Sequence, residues 1–160
     1  MKQRLLIGVG GLCAVLITVV GVVLFTHIRS SNPIPENMRS QVHFATYYPA
    51  SLPEGFVIDP SSYDITNSII TYVIKTPDNG SISVSQQQTL STFDFTEFQE
   101  NTLKNKRTAT LKNGVDIYLG RLETNHMASI HDGQTWVLLS ANAQKIPLDT
   151  LENISKTLTE

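Results

Sequence analysis

Three histidines, His43, His126 and His131, are the side chains of this sequence best suited to hold a metal ion. Imidazole is a common ligand for zinc and copper, but a site needs several donors that converge on one point. His126 and His131 are five residues apart on one predicted strand, so their side chains point to opposite faces of it. No run of Asp or Glu accompanies them, and the single cysteine, Cys13, lies in a separate apolar segment. We therefore predict no metal site and no cofactor.

A second chemistry to consider is a hydrolase triad made of His131, Asp132 and either Ser129 or Ser140. A triad needs a serine hydroxyl within reach of an imidazole that a carboxylate orients. Serines and histidines beside hairpin turns more often hydrogen-bond the turn. The motifs G-x-S-x-G, H-E-x-x-H and G-x-x-x-x-G-K-[ST] are also absent from the sequence. The sequence therefore predicts a protein that is not an enzyme.

Three aromatic residues, Tyr72, Tyr118 and Trp136, are the candidate ligand-binding residues. All three fall on predicted strands, and aromatic rings that share a sheet face can line a groove for a ligand. Packing within a half-buried sheet explains the same residues, and it is the favoured interpretation.

The charge of the chain bears on its partners. Residues 41–160 contain eight Lys or Arg and thirteen Asp or Glu, which gives a net charge of −5. Such a domain offers no electrostatic attraction to nucleic acid or anionic lipid, so we expect no nucleic-acid partner. Lys104, Lys106 and Arg107 form a small basic cluster, which we place at the C-terminal end of a predicted helix, where cations favour the helix dipole.

Strand signals dominate the C-terminal part of the chain. Three stretches, 68–86, 108–122 and 127–140, alternate apolar and polar residues or are rich in β-branched residues on both sides of a tight turn. Each turn carries a residue pair that suits positive φ angles. The pairs are Asn79-Gly80, Asn113-Gly114 and Asp132-Gly133. These stretches predict three antiparallel hairpins.

Two helices are predicted beside the hairpins. In 91–106, Asp94 and Glu97 have the spacing of a capping box, and apolar residues follow at roughly helical intervals. In 147–158, Pro147 suits a first-turn position, and an apolar stripe is formed by Leu148, Leu151, Ile154 and Leu158. Strands joined by tight turns together with two helices predict a small antiparallel α+β domain, each helix covering one sheet face.

Residues 5–25 form an apolar segment without a charged residue. At about 1.5 Å per residue, a helix of this length spans the hydrocarbon core of a bilayer. The segment exceeds a signal-peptide core and is not followed by a small-residue cleavage site. We therefore predict an uncleaved transmembrane helix whose partner is the lipid bilayer.

The prolines after this segment help to define the predicted organisation. Lys2 and Arg4 precede the apolar segment, and this charge balance favours a cytoplasmic N-terminus. Pro33 and Pro35 interrupt helical structure after it, so the sequence predicts a linker over 26–46. The predicted order is a cytoplasmic tail (1–4), the transmembrane helix (5–25), the linker, and an extracytoplasmic α+β domain (47–160).

The stretch YYPASLPEGFVID (47–59) resembles the Y-x-P-x-x-L-P-x-G-F opening of a bacterial domain of unknown function. The hairpins LKNGVDIYLG (111–120) and SIHDGQTWVLLS (129–140), and the helix from Leu151 to Leu158, are similar to later elements of that domain in order and spacing. That domain occurs on the outer side of membrane-anchored proteins, some of them anti-sigma-factor-like. The resemblance implies an extracytoplasmic location and this architecture, and it transfers no catalytic residue.

These observations lead to two hypotheses about function. The first is a single-pass cell-membrane protein that displays a non-catalytic domain for binding or sensing a protein, peptide or envelope ligand. The alternative is a structural or accessory subunit of a cell-envelope complex, whose membrane span makes the main contacts. Gly10 and Ala14 form a small-xxx-small pair that would let two spans approach closely.

Overall fold

The structure, a computed structural model, describes residues 32–160, and antiparallel strands dominate this part of the chain. The strands are β1 (Tyr48–Pro49), β2 (Val57–Ile58), β3 (Asp64–Thr66), β4 (Ile69–Lys75), β5 (Ser81–Gln88), β6 (Lys104–Thr110), β7 (Asp116–Leu122), β8 (Asn125–His131), β9 (Thr135–Asn142) and β10 (Leu158–Thr159). The helical elements are α1 (Glu36–Arg39), a 3₁₀ turn (Pro60–Ser62), α2 (Phe95–Glu97), a π-helical turn (Phe98–Thr102) that continues α2, and α3 (Leu148–Ser155). The predicted antiparallel α+β class is confirmed for these residues.

One sheet of eight strands forms the centre of the domain. Its order is β2-β4-β5-β9-β8-β7-β6, and β3 pairs with β4 along the same edge as β2. The three predicted hairpins are present as β4–β5, β6–β7 and β8–β9. Asn79, Gly114 and Gly133 have φ angles of 55°, 88° and 96° in the three turns, as the sequence predicted. A separate pair, β1 with β10, joins the two ends of the domain.

The hydrophobic core lies on one face of this sheet. Alternate residues of the strands point into it, and the register places them side by side across the sheet. Helix α3 covers this face with Leu151 and Ile154, which are both buried. Arg107 on β6 joins the helix to the sheet edge through ion pairs with Asp149 at 2.5 Å and Glu152 at 2.7 Å. The residues aligned across the core face include Tyr72, Val84, Leu139, Ala128 and Leu119.

The predicted helix over 91–106 is shorter in the structure. Asp94 accepts a hydrogen bond from the Glu97 N–H at 2.9 Å, as the capping-box spacing predicted, but the helical turns end at Thr102. The chain then enters strand β6, so the basic cluster at 104–107 lies on an edge strand and its predicted place at a helix end is wrong. Pairing with β7 satisfies the backbone here, and Gly120 permits it, because a Cβ on Gly120 would lie 2.9 Å from Leu103 Cβ.

The C-terminal helix agrees better with its prediction. Pro147 precedes the first residue of α3, and the buried residues of the predicted stripe face the sheet. Leu158 is the exception, since it lies in strand β10 opposite Pro49. The helix stops at Ser155 because the chain turns there to pair with the start of the domain.

The compact unit begins at Ile34, earlier than the domain boundary predicted at residue 47. Ile34 is 1% exposed and belongs to the core cluster, and Met38, Val42 and Phe44 pack against that cluster. Residues 34–46 therefore belong to the domain although the sequence placed them in the linker. Their apolar side chains are too widely spaced to form a regular pattern, so the sequence does not indicate that they pack against the domain.

The predicted tail (1–4) and transmembrane helix (5–25) lie outside the described residues. Within residues 32–160, each helix is too short and too polar to cross a membrane.

Candidate functional site

An aromatic cluster lies on the sheet face opposite the core. Trp136 of β9 points to this face, because its neighbours Thr135 and Val137 are buried on the other. Phe93, Phe95 and Phe98 surround the indole, with ring centroids 4.6, 5.4 and 5.7 Å from it. Stacked and edge-to-face rings at these distances attract one another. The cluster holds the segment around α2 against the sheet.

His131 extends the cluster at the end of β8. Its ring stacks on Phe95 with a centroid distance of 3.9 Å and an angle of 8° between the planes. Its register partner across the hairpin is Trp136. The Nε2 atom of His131 is buried and has no hydrogen-bond partner within residues 32–160. A buried polar atom of this kind usually finds a partner in water or a ligand.

Beside the cluster is a cleft of about 740 Å³. This volume is in the range of small-molecule sites, which are about 300–1,000 Å³. Aromatic rings, hydroxyls and carboxylates share its wall, and none of the lining residues is Lys or Arg. The lining residues are Ser91, Thr92, Phe93, Asp94, Phe95, Thr96, Gln99, Val115, Asp116, Tyr118, His131 and Asp132.

Gln99, in the π-helical turn, is the most buried polar residue that lines the cleft. It is 7% exposed, and no group of the described chain hydrogen-bonds its side-chain amide. Neither atom of this amide is among the buried unpartnered atoms of residues 32–160, so the amide keeps contact with solvent at the cleft. Gln99 therefore supplies an unused donor and an unused acceptor at the cleft.

Three carboxylates line the same cleft, and none of them forms an ion pair with a described Lys or Arg. Asp94 caps α2. Asp116 begins β7 and is exposed, with only the Thr110 hydroxyl near it at 3.4 Å. Asp132 caps the β8–β9 turn through the Thr135 and Gln134 N–H groups at 2.6 and 2.8 Å.

Asp132 also connects the cleft to the start of the domain. The Tyr47 hydroxyl donates to Asp132 Oδ2 at 2.6 Å and lies 3.1 Å from Glu160 Oε1. Burial acts to raise the pKa of Asp132, but the bonds from Tyr47 and from the turn N–H groups outweigh it and lower that pKa below its ordinary value. Burial, followed by the two nearby carboxylates, raises the pKa of Tyr47. Asp132 therefore remains ionised at neutral pH.

The structure brings together two of the three predicted ligand-binding residues. Tyr118 lines the cleft, and Trp136 packs behind the phenylalanines that line it. Tyr72 lies on the opposite face of the sheet, is 1% exposed, and has its hydroxyl 3.5 Å from the Tyr47 carbonyl oxygen. Tyr72 therefore does not share a groove with the other two residues, because it lies on the core face with Ile70 and Ile74.

The other candidate residues are engaged elsewhere. His126 Nδ1 is 2.8 Å from the Ile146 carbonyl oxygen, and His43 borders a different hollow. Within the described residues, His, Cys, Asp and Glu form no group of three that could hold a metal ion. Ser129 Oγ accepts the Trp136 indole N–H at 3.0 Å. Ser140 pairs with Met127, four residues along β8 from His131.

Sequence reasoning missed most of the cleft. Phe95 and Phe98 belong to the apolar residues at roughly helical spacing in the predicted helix over 91–106, and Phe93, Gln99 and Asp116 were given no role. A usable signal was present in the stretch TFDFTEF (92–98), where three phenylalanines occur within six residues. Such a density of rings exceeds what one short helical turn can bury, which indicates packing against another aromatic surface.

The chain was also compared with known proteins. No curated protein matches it. A family model described as "Domain of unknown function (DUF4367)" matches residues 46–158, which include every strand of the domain except the last residue of β10. The match contains the Tyr47 region, the aromatic cluster and the whole cleft. The chain therefore belongs to the DUF4367 family of domains of unknown function.

Proposed function

We propose that this protein is a single-pass membrane protein that displays a non-catalytic binding or sensing domain outside the cell membrane. The uncharged apolar segment 5–25 supports the anchor, and Lys2 and Arg4 support a cytoplasmic N-terminus. The envelope ligand or protein partner binds in the cleft beside the aromatic cluster.

The observation that carries the binding role is the pair of unused polar groups at this cleft. Gln99 is 7% exposed, and its amide reaches the cleft without a hydrogen-bond partner in the described chain, while His131 Nε2 is buried without a partner. Flat rings from Phe93, Phe95 and Tyr118 adjoin these groups. Apolar rings with a few convergent polar groups are the usual composition of a ligand site.

The serine contacts support a binding role over hydrolysis. A serine nucleophile needs its hydroxyl within hydrogen-bonding reach of the base. Ser129 Oγ instead accepts the Trp136 N–H, and Ser140 is about 13 Å along the strand from His131 at ordinary strand rise. His131 is stacked flat against Phe95.

Trp136 offers a direct test, because it is the only tryptophan of the chain. Its emission should report ligands that enter the adjacent cleft. We would titrate the full chain in a non-ionic detergent with a panel of neutral, anionic and cationic fragments, oligosaccharides and short peptides. At least one class should shift the emission saturably, with affinity reduced at least about tenfold in Phe95→Ala and in Gln99→Leu, the loss of about 1.4 kcal/mol.

The matched control is Phe56→Ala, which removes a ring from a residue that does not line the cleft. Unchanged affinity in Phe95→Ala and Gln99→Leu, or no saturable binding by any class, would overturn the binding role.

The anchor and its orientation need a separate test. Alkaline phosphatase fused after Glu160 is active only outside the cytoplasm, so we expect activity in intact cells. Activity of a cytoplasmic reporter at the same position would contradict the outward orientation. Crosslinking in membranes tests the accessory-subunit alternative, since partners retained after deletion of residues 34–160 would place the contacts in the span.

A further inference from the structure

The charge at the cleft is one-sided. Asp94, Asp116 and Asp132 line it, no Lys or Arg does, and the ion pairs of the described residues involve other acids. At short range, carboxylates without a counter-ion attract cations, and a cleft with apolar walls strengthens that attraction. The cleft is therefore complementary to positive charge.

Two basic residues of β6 are engaged elsewhere. Arg107 is paired with Asp149 and Glu152 of α3 on the core face. Lys106 Nζ donates to the Glu100 carbonyl oxygen at 2.5 Å. Lys112, four residues from Asp116 along the chain, lines a different hollow. The three carboxylates of the cleft therefore have no ion-pair partner among the described Lys and Arg residues.

The amide of Gln99 fits the same ligand. Its Oε1 atom is an acceptor that no described group uses. Together with the carboxylates it makes a wall that offers acceptors for hydrogen bonds. Ammonium and guanidinium groups have only donors, so they match this wall. Gln99, more than nine-tenths buried and lining the cleft, is independent of the acidic cluster as a sign of a ligand.

The aromatic residues add a surface for the rest of the ligand. The rings of Phe93, Phe95 and Tyr118 line the cleft. A cation near a ring face gains about 0.5–2 kcal/mol, and the adjoining methylene groups or a second ring gain by leaving water.

We propose that the cleft binds a ligand that carries an ammonium or guanidinium group beside an apolar or planar portion; this inference rests on the binding function proposed above. A basic side chain of a peptide and a small organic amine both have this chemistry. The carboxylates attract the cation, Gln99 accepts one of its N–H groups, and the rings hold the apolar portion.

A pair of probes tests the charge directly. Acetyl-Phe-Arg-amide carries the guanidinium, and acetyl-Phe-citrulline-amide replaces it with a neutral group of nearly the same shape. Phenethylamine and phenethyl alcohol form the corresponding small-molecule pair, and chitotriose represents a neutral glycan. All five are titrated against the full chain in non-ionic detergent, with Trp136 emission and calorimetry as readouts.

The charged member of each pair should bind at least about tenfold more tightly than its neutral counterpart, and added salt should reduce that difference. Tighter binding of the charged peptide than of the charged amine identifies a peptide ligand, and the reverse order identifies a small amine. Asp116→Asn should weaken only the charged probes, because Asp116 has no role in a turn or cap. Asp78→Asn, at an exposed turn residue outside this cleft, should leave them unchanged.

Equal affinity for the charged and neutral probes would overturn the cationic ligand while leaving a functional binding cleft. Preference for chitotriose would do the same. If none of the five probes binds, the inference is overturned, and the binding function is judged by the wider panel. If Asp116→Asn and Asp78→Asn bind the charged probes with equal affinity, the carboxylates of the cleft do not explain the binding.

Discussion

Gln86 binds the backbone of Tyr47 through both ends of its side-chain amide. Gln86 Oε1 accepts the Tyr47 N–H at 2.7 Å, and Gln86 Nε2 donates to the Tyr47 carbonyl oxygen at 3.1 Å. Gln86 is completely buried on β5, and Tyr47 is 2% exposed. The Gln86 side chain thus forms the two hydrogen bonds that a neighbouring strand would otherwise form with the backbone of Tyr47, the first residue of the Y-x-P motif. It fixes the chain as it enters the sheet, and the Tyr47 hydroxyl then reaches Asp132 at the cleft.

Replacing Gln86 with leucine should destabilise the domain by about 2–4 kcal/mol, because the buried N–H and carbonyl oxygen of Tyr47 would lose their hydrogen-bond partner. The free energy of unfolding in urea, followed by Trp136 emission, measures the change. Gln88→Leu is the control, since Gln88 is exposed at the end of the same strand. Equal stability of the two variants would show that the amide contributes nothing beyond its apolar volume.

Gly55 should tolerate alanine less well than Gly114. Both have positive φ angles, 76° and 88°, so alanine costs about 1 kcal/mol in each from the backbone alone. A Cβ at Gly55 would lie 2.6 Å from Pro77 Cγ, whereas at Gly114 it would meet nothing within 4 Å. We expect Gly55→Ala to cost about 1–3 kcal/mol more than Gly114→Ala in the free energy of unfolding. Equal costs would contradict the close contact with Pro77.

The sequence predicts local structure here far better than distant pairing. Alternation and turn residues identify the three hairpins, since these signals lie within one short stretch. The pairing of β5 with β9 joins residues 47 to 59 positions apart, as in Ile82 opposite Ala141, and no local pattern encodes it. The segment 34–46 packs through scattered side chains, so the sequence gives no sign that it contacts the core.

The candidate site shows the same limit. Strand β4 is apolar on both faces, so alternation alone does not reveal which face Tyr72 occupies. Trp136 and Tyr118 could be named as candidates because aromatic residues on strands are visible in the sequence. Their neighbours Phe93 and Gln99 come from a short helical segment whose position depends on the packing around Trp136.

Tyr47→Phe should destabilise the domain at neutral pH by about 1–3 kcal/mol, because it removes a hydrogen bond to an ionised carboxylate. The pKa of Asp132 is lowered on folding, so its contribution is present above the ordinary pKa of 3.8 and is lost as the pH falls through the lower folded value. The difference in stability between wild type and variant should therefore be largest above pH 4 and shrink below it. Urea unfolding at several pH values between 2 and 7 measures this difference.

Tyr63→Phe is the matched control for that experiment. The Tyr63 hydroxyl is buried without a hydrogen-bond partner within residues 32–160, so its removal should leave stability unchanged or raise it at every pH tested. A loss in Tyr47→Phe that is the same at pH 2 and pH 7, or matched by Tyr63→Phe, would rule out the bond to ionised Asp132 as the cause.

Gln99→Leu should have the opposite effect on stability from Gln86→Leu, although the substitution is the same. The Gln86 amide is paired, whereas no group of the described chain hydrogen-bonds the amide of Gln99, a residue that is 7% exposed. Leucine at 99 removes an unpaired polar group, so the free energy of unfolding should rise by about 1 kcal/mol. The same variant should bind acetyl-Phe-Arg-amide at least about tenfold more weakly, since the ligand loses an acceptor. Gain of stability together with loss of binding distinguishes a residue kept for a ligand from one kept for the fold; loss of both would assign Gln99 to the fold.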